Sequence, residues 1–356
     1  MYDAHDGFLS NPHLITSEKD YRKYLEDFEY IHLEGQPIYG FAFLPGPYHQ
    51  AIPFFFTKEL KIVPFAHHHL SVPSYVRTML SATDGSPMPI IVSMFEKARQ
   101  LMDMNHIDSG EENVTYMAIE KWHPTYGHMH DELYNLHTFR QKWTQMNPEC
   151  PSRCIFVDDP FQTHIRIPNI DVMAQTLFAD GFMPLSSDRL TRFSNLIVVR
   201  SHVETRCKTF HSFPREPRQL LLDTMPSHLS DAITTGAPFQ LFLTRSWSAR
   251  RPAWHNFEDL TQWFRDREFI VWNPENYSLW DTMYMIHNAR TIALFWGSGM
   301  TNLVYVDEHL CEKIILLKGL SYDTEPLYIF ERLLNRYKLM DKIVVIREKE
   351  WDKKMV

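Results

Sequence analysis

Cysteine is scarce: Cys150, Cys154, Cys207 and Cys311 are the only four in 356 residues. That is too few for a disulfide-stapled scaffold, and Cys150-Pro-Ser-Arg-Cys154 has no second pair to complete a zinc site. Positive charge is also short. A formal net charge of -8 argues against general nucleic-acid binding, which needs a basic surface, though a local basic cleft is compatible with it. No run of 18 apolar residues occurs, so no transmembrane helix is expected. The first residues, MYDAHDGFLSNPH, lack a basic stretch followed by an apolar one, so no signal peptide is expected and the chain reads as cytosolic. Internal repeats and low-complexity tracts are missing. What is present is ample apolar material, 44% of residues, with nine Trp and 16 Tyr. The length suits two domains of ordinary size, each with its own core.

The stretch from Gln240 to Asp307 organises the chain. Leu241 to Thr244 is an apolar run of strand length that ends at Arg245 and leads into a turn-like segment with Arg250 and Arg251. Asn256 to Arg265 carries Phe257, Leu260 and Phe264 at helical spacing. Phe269 to Trp272 reads as a strand, Trp280 to Ala289 as a helix, and Thr291 to Phe295 as a third strand. Gly297-Ser298-Gly299 and Thr301-Asn302 follow at once. Strands alternating with helices predict a parallel sheet. In such sheets ligands lie at the carboxyl ends of the strands, where Arg245 and the Gly-Ser-Gly turn both fall. Glycine lets a backbone approach a ligand closely, a helix start aims free N–H groups at an anion, and arginine offers a planar fork for phosphate oxygens. The combination suits a pyrophosphate. Gly-Ser-Gly alone is also an ordinary tight turn, and the arginines shift the balance toward a site.

A second cluster lies upstream. Val114 to Ile119 reads as a strand, and a helix is predicted from Met129 or His130 to Trp143 with Leu133, Leu136, His137 and Arg140 on one face. Between and just inside them stand His123, Gly127-His128, His130, Asp131 and Glu132. A histidine titrates near neutrality and takes a proton from a hydroxyl. Acids near a helix start are held in their charged form, or simply complement the helix dipole. A zinc set of His128, His130 and Glu132 lacks the spacing of helical zinc motifs.

These two stretches together resemble glycosyltransferase family 61. The shared pattern is a strand ending in Arg245, a second arginine at Arg250 or Arg251, Asn256 with Leu260, Pro274-Glu275 before a helix, and Gly297-Ser298-Gly299-Met300-Thr301-Asn302. Gly127-His128 with an acid soon after fits the upstream part. One departure stands out: Trp296 occupies the position of a family histidine and is expected to pack on the ligand instead. The resemblance implies two Rossmann-like domains facing a cleft, the GT-B arrangement. It implies an inverting transferase moving a sugar from a nucleotide-sugar, with UDP the expected nucleotide, to a glycan hydroxyl without an essential metal. His128 is the expected base, with Asp131 second. Arg245 and Arg250 would stabilise the diphosphate with the backbone from Gly297 to Thr301, and Glu275, Asn276 and Ser278 would reach the base or ribose. Animal members enter the secretory pathway, so a cytosolic chain suggests a bacterial or viral origin.

Elsewhere the reading is plainer. Ser17 to Phe28 is predicted as a helix, Ile31 to Pro73 as short strands and loops, and Pro89 to Met102 as a helix. His67-His68-His69 points in several directions and makes a poor metal site. Arg153 to Val157 reads as a strand ending at Asp158-Asp159-Pro160, either a turn or a metal-binding acid pair. A helix is predicted over Ile170 to Phe178, a strand over Leu196 to Val199, and a crossover over 203–219. Gln219 to Ile233 and Pro326 to Leu339 are further helices, and Lys313 to Leu317 and Ile343 to Arg347 further strands. The expected domains are 1–217 on the acceptor side and 218–325 on the donor side, with 326–356 as a possible return to the first. Two rivals stay open: a different enzyme on the same fold, or a nucleotide- or glycan-binding protein that has lost catalysis.

Overall fold

The computed structural model describes residues 22–25, 28–43, 52–60, 89–119, 126–157, 169–179, 182–201, 215–229, 238–245, 254, 256–320 and 328–354. The expected helix start at Ser17, His67 to His69, His123, Asp158, Asp159, Arg250 and Arg251 lie outside them. The architecture is mixed α/β with two sheets. Two compact units divide the chain. One comprises 1–124, 135–166 and 178–207, the other 125–134, 167–177 and 208–356.

The first unit holds β1 (Arg22–Leu25), β2 (Phe28–Phe43), β3 (Ile52–Thr57), α1 (Pro89–Asp103), β4 (Ile107–Ser109) and β5 (Thr115–Ile119). Next in the chain come α2 (Tyr126–Met146), whose first residues count with the second unit, and β6 (Ser152–Val157). Then follow α3 (Ile170–Leu177), also of the second unit, β7 (Phe182–Leu185) and β8 (Leu190–Ser201). The sheet order is β1-β2-β8-β5-β6-β7, with β3 also on β2 and β4 also on β8. The sheet is mixed: β2 runs antiparallel to β1, β3 and β8, whereas β5, β6, β7 and β8 run parallel. Instead of the expected helix and short strands, the N-terminal part supplies a 16-residue strand, β2. Its pairing to β8 joins Phe28 to Ser201. Phe41, Phe54, Phe56, Met94, Ala98 and Leu101 close a core between β2, β3 and α1. Each of the Phe, Met and Leu side chains contributes roughly 1.5–3 kcal/mol by leaving water.

The second unit continues with α4 (Arg215–Asp223), β9 (Phe239–Leu243), α5 (Phe257–Arg265), β10 (Ile270–Trp272), α6 (Leu279–His287) and β11 (Ala289–Phe295). A 3-10 segment, Ser298–Tyr305, leads to β12 (Lys313–Lys318), α7 (Tyr328–Arg336), β13 (Ile343–Arg347) and α8 (Glu348–Lys354). The sheet order is β10-β9-β11-β12-β13, and every pairing is parallel. The inner strands β9, β11 and β12 are short, largely buried apolar runs, as sheets covered on both faces require, while the edge strands β10 and β13 are half-buried to exposed. The segment 326–356, expected as a possible return to the first domain, places β13 beside β12 and buries Trp351 in this sheet's core. Trp351 meets Trp254 and Trp263 edge-on, at 5.4 Å and 5.1 Å between ring centroids.

Candidate active site

The order of the second sheet fixes where a ligand belongs. From β9 the chain moves outward to β10, then returns past β9 to β11 and onward to β12. The connections after β9 and β11 therefore leave in opposite directions and open a crevice at their carboxyl ends. Leu243, Leu294 and Trp272 form one row across these three strands. Immediately past that row stand Thr244-Arg245, Phe295-Trp296-Gly297 and Asn273 to Tyr277.

Arg245 lies with its guanidinium carbon 5.6 Å from the centre of the Phe295 ring, so the neighbouring strand holds the charge at the crevice. Thr244 donates its N–H to the Trp272 carbonyl at 2.8 Å, continuing the ladder one residue beyond the strands. Its hydroxyl is buried and has no hydrogen-bond partner among the described residues. A buried unsatisfied hydroxyl beside the crevice is the kind of group a ligand completes.

Gly297 has φ +118 and ψ -155, a backbone region essentially reserved for glycine. A Cβ there meets nothing within 4 Å, so the requirement is conformational rather than steric. It starts the 3-10 segment, and its carbonyl accepts the Met300 N–H at 2.9 Å. Ser298 and Gly299 occupy the first positions of that segment, where backbone N–H groups lie unused by the helix itself. Met300, Thr301 and Asn302 are buried. Trp296 is only 2% exposed. Its N–H bonds the Leu317 carbonyl, and its ring meets Phe330 edge-on and the Lys318 ammonium at 4.8 Å. This tryptophan therefore packs into the unit rather than onto a ligand. Buried Lys318, at the end of β12, was not singled out in the sequence; a lysine closing an apolar run was its only signal.

On the β10 side, Asn273 accepts the Glu275 N–H and shapes the Pro274–Asn276 turn, which leaves Glu275 and Asn276 exposed. Ser278 is engaged by its own helix. Its Oγ accepts the Asp281 N–H at 3.1 Å and donates to the Asp281 carboxylate, capping α6.

Helix α2 starts at Tyr126, earlier than expected. His128 thus falls in its first turn, and Asp131 and Glu132 in its second. The helix has no polar outer face over Met129 to Phe139; every residue there is buried, including His130, Asp131, Glu132, Asn135 and His137. Buried ionisable groups are informative in a way that buried leucines are not. His130 Nε2 bonds the Tyr305 hydroxyl at 3.1 Å and the two rings stack 5.5 Å apart. The start of α2 is thereby fastened to the end of the Gly297 segment, which joins the two clusters seen in the sequence. Tyr305 in turn accepts from His287 Nδ1 at 3.1 Å through its carbonyl. Burial holds the His287 ring below its ordinary pKa, against the opposing pull of that carbonyl and of Asp307.

A crevice at the reversal of a parallel sheet, edged by an arginine and a glycine-started turn, is set in an α/β unit. The Glycosyltransferase 61 family model matches residues 111–312, more than half of the chain. The chain belongs to glycosyltransferase family 61. No curated protein matches it. The matched span runs from the approach to β5 through the turn before β12, and so contains both α2 and the crevice.

Proposed function

We propose that this glycosyltransferase is an inverting enzyme of GT-B type, with 1–217 as its Rossmann-like acceptor domain and 218–325 as its Rossmann-like donor domain, that uses a UDP-sugar donor and a glycan hydroxyl acceptor. The observation that carries the donor site is Arg245 held over Phe295 at the sheet reversal, beside the Gly297 turn. A diphosphate there meets a guanidinium and backbone N–H groups already in place, which stabilise the charge that develops as the leaving group departs. Arg250 is assigned a second contact to it. In a single displacement the acceptor oxygen bonds to the anomeric carbon as the bond from that carbon to the diphosphate oxygen breaks. The acceptor proton passes to a base, for which His128 is proposed first and Asp131 second. Charge stabilisation by arginine and backbone makes a metal unnecessary in this scheme.

The test is a thermal-shift panel of UDP, GDP and CMP and their sugar conjugates, with and without EDTA. A ligand at 100 times its dissociation constant adds about 2.7 kcal/mol. A shift with UDP that EDTA leaves intact supports the reading; a shift lost in EDTA sinks the metal-independent part. Arg245→Ala should abolish the shift at an unchanged ligand-free melting temperature. His128→Ala should keep the shift and lose turnover, and a turning-over variant would pass the base role to Asp131.

A further inference from the structure

The crevice has an aromatic floor on its β10 side that the sequence did not announce. Tyr277 stacks on Trp272 with ring centroids 3.5 Å apart and planes 17° from parallel, yet Tyr277 remains 44% exposed. With one face against Trp272, the open surface is the opposite face and the ring edge. The pair is braced from both ends. Trp272 donates its indole N–H to Thr282 Oγ1 at 3.3 Å, which ties it to α6. The Tyr277 carbonyl accepts from Asn169 Nδ2 at 3.1 Å, and Asn169 sits just before α3 in a left-handed conformation. A braced, outward-facing ring costs little side-chain entropy when something stacks on it.

Its place in the sheet says what that something is. Trp272 is in register with Leu243, and Leu243 with Leu294. Neighbouring strands lie roughly 4.8 Å apart, so the strand that ends at Trp272 stands about 5 Å from the strand carrying Arg245 and about 10 Å from the strand leading to Gly297. A nucleoside diphosphate separates its base from its phosphates on the same scale. Exposed Glu275 and Asn276 lie in the turn just before Tyr277, with hydrogen-bonding groups free to meet a base edge or a ribose.

We propose that Tyr277, backed by Trp272, is the platform on which the nucleobase of the donor stacks. This deepens the donor-site reading and rests on it. The probes are UDP, GDP and inorganic pyrophosphate, with affinities measured by calorimetry or by competition. Tyr277→Ala should weaken the nucleoside diphosphate that the wild-type chain binds by about tenfold and leave pyrophosphate affinity within about twofold. Tyr277→Phe and Tyr277→Trp, which keep the ring face, should retain wild-type affinity. Equal nucleotide affinity in Tyr277→Ala overturns the platform. So does a parallel loss of pyrophosphate, or a full loss in Tyr277→Phe. Unchanged UDP affinity with weakened acceptor binding would mean that the ring receives a sugar instead. A wild-type chain that binds no nucleotide overturns the donor reading itself, before any variant is compared.

Discussion

At the scale of single residues, the two glycines that flank Ser298 behave differently. Gly297→Ala places an alanine in a region essentially closed to it and should cost about 1–3 kcal/mol, with nucleotide affinity falling alongside. Gly299→Ala puts its Cβ in open space without a positive φ, and its urea midpoint should stay within about 0.5 kcal/mol of wild type. The pair separates a glycine needed for shape from one that is not. His287 gives a pH prediction. Its folded pKa lies below the ordinary 6.5 because the ring is buried. As pH falls the unfolded chain takes up the proton first. The stability held by the neutral ring is therefore complete above about pH 6.5 and is lost as pH drops toward the folded value. His287→Asn, which keeps a donor for the Tyr305 carbonyl, should flatten that part of the profile in urea midpoints taken at pH 7.5 and 5.5. Sequence spacing could flag Arg245 and Gly297, because a strand end and a glycine turn are local signals. It held no sign that Trp296 would be buried against Phe330 and Lys318, since those partners come from other elements.

Elements differ in how far the sequence reveals them. Strands β9, β11 and β12 are legible because a covered parallel strand is a short, largely apolar run between turns, and β13 is legible from its apolar run although none of its residues is buried. The expected Ile343 to Arg347 coincides with β13. The helix expected up to Phe28 gives way to strands, because β2 is defined by β8, whose partner residues lie more than 150 positions away. Helix α2 defeats a face-by-face reading for another reason: from Met129 to Phe139 it is buried all round, so its polar residues do not mark a solvent side. For α6 the cap is the testable part. Ser278→Ala should cost about 1 kcal/mol by orphaning the Asp281 N–H, and Ser278→Asn should restore most of it. If the hydroxyl serves only the helix, nucleotide affinity in Ser278→Ala will be unchanged once the protein is folded.

At the scale of the molecule, the second unit depends on its last residues. Trp351→Ala empties a site lined by Trp254, Trp263 and Phe264 and should cost about 3 kcal/mol or more, read as a lower melting temperature of the nucleotide-sensitive transition. The first unit depends instead on distant segments. Strand β2 holds β1 and β3 on one edge and needs β8 for the other, in a register that joins Phe28 to Ser201. A ribosome adding about 5–20 residues per second makes β8 on the order of ten to thirty seconds after β2. Through that interval a long strand rich in Phe, Tyr and Ile has an unfilled edge, which is the surface that aggregation and chaperones compete for. Synthesis speed, and not only the stability of the finished protein, should therefore influence how much of this enzyme reaches its native state. Slower elongation between the codons of β2 and β8 should lower the soluble yield.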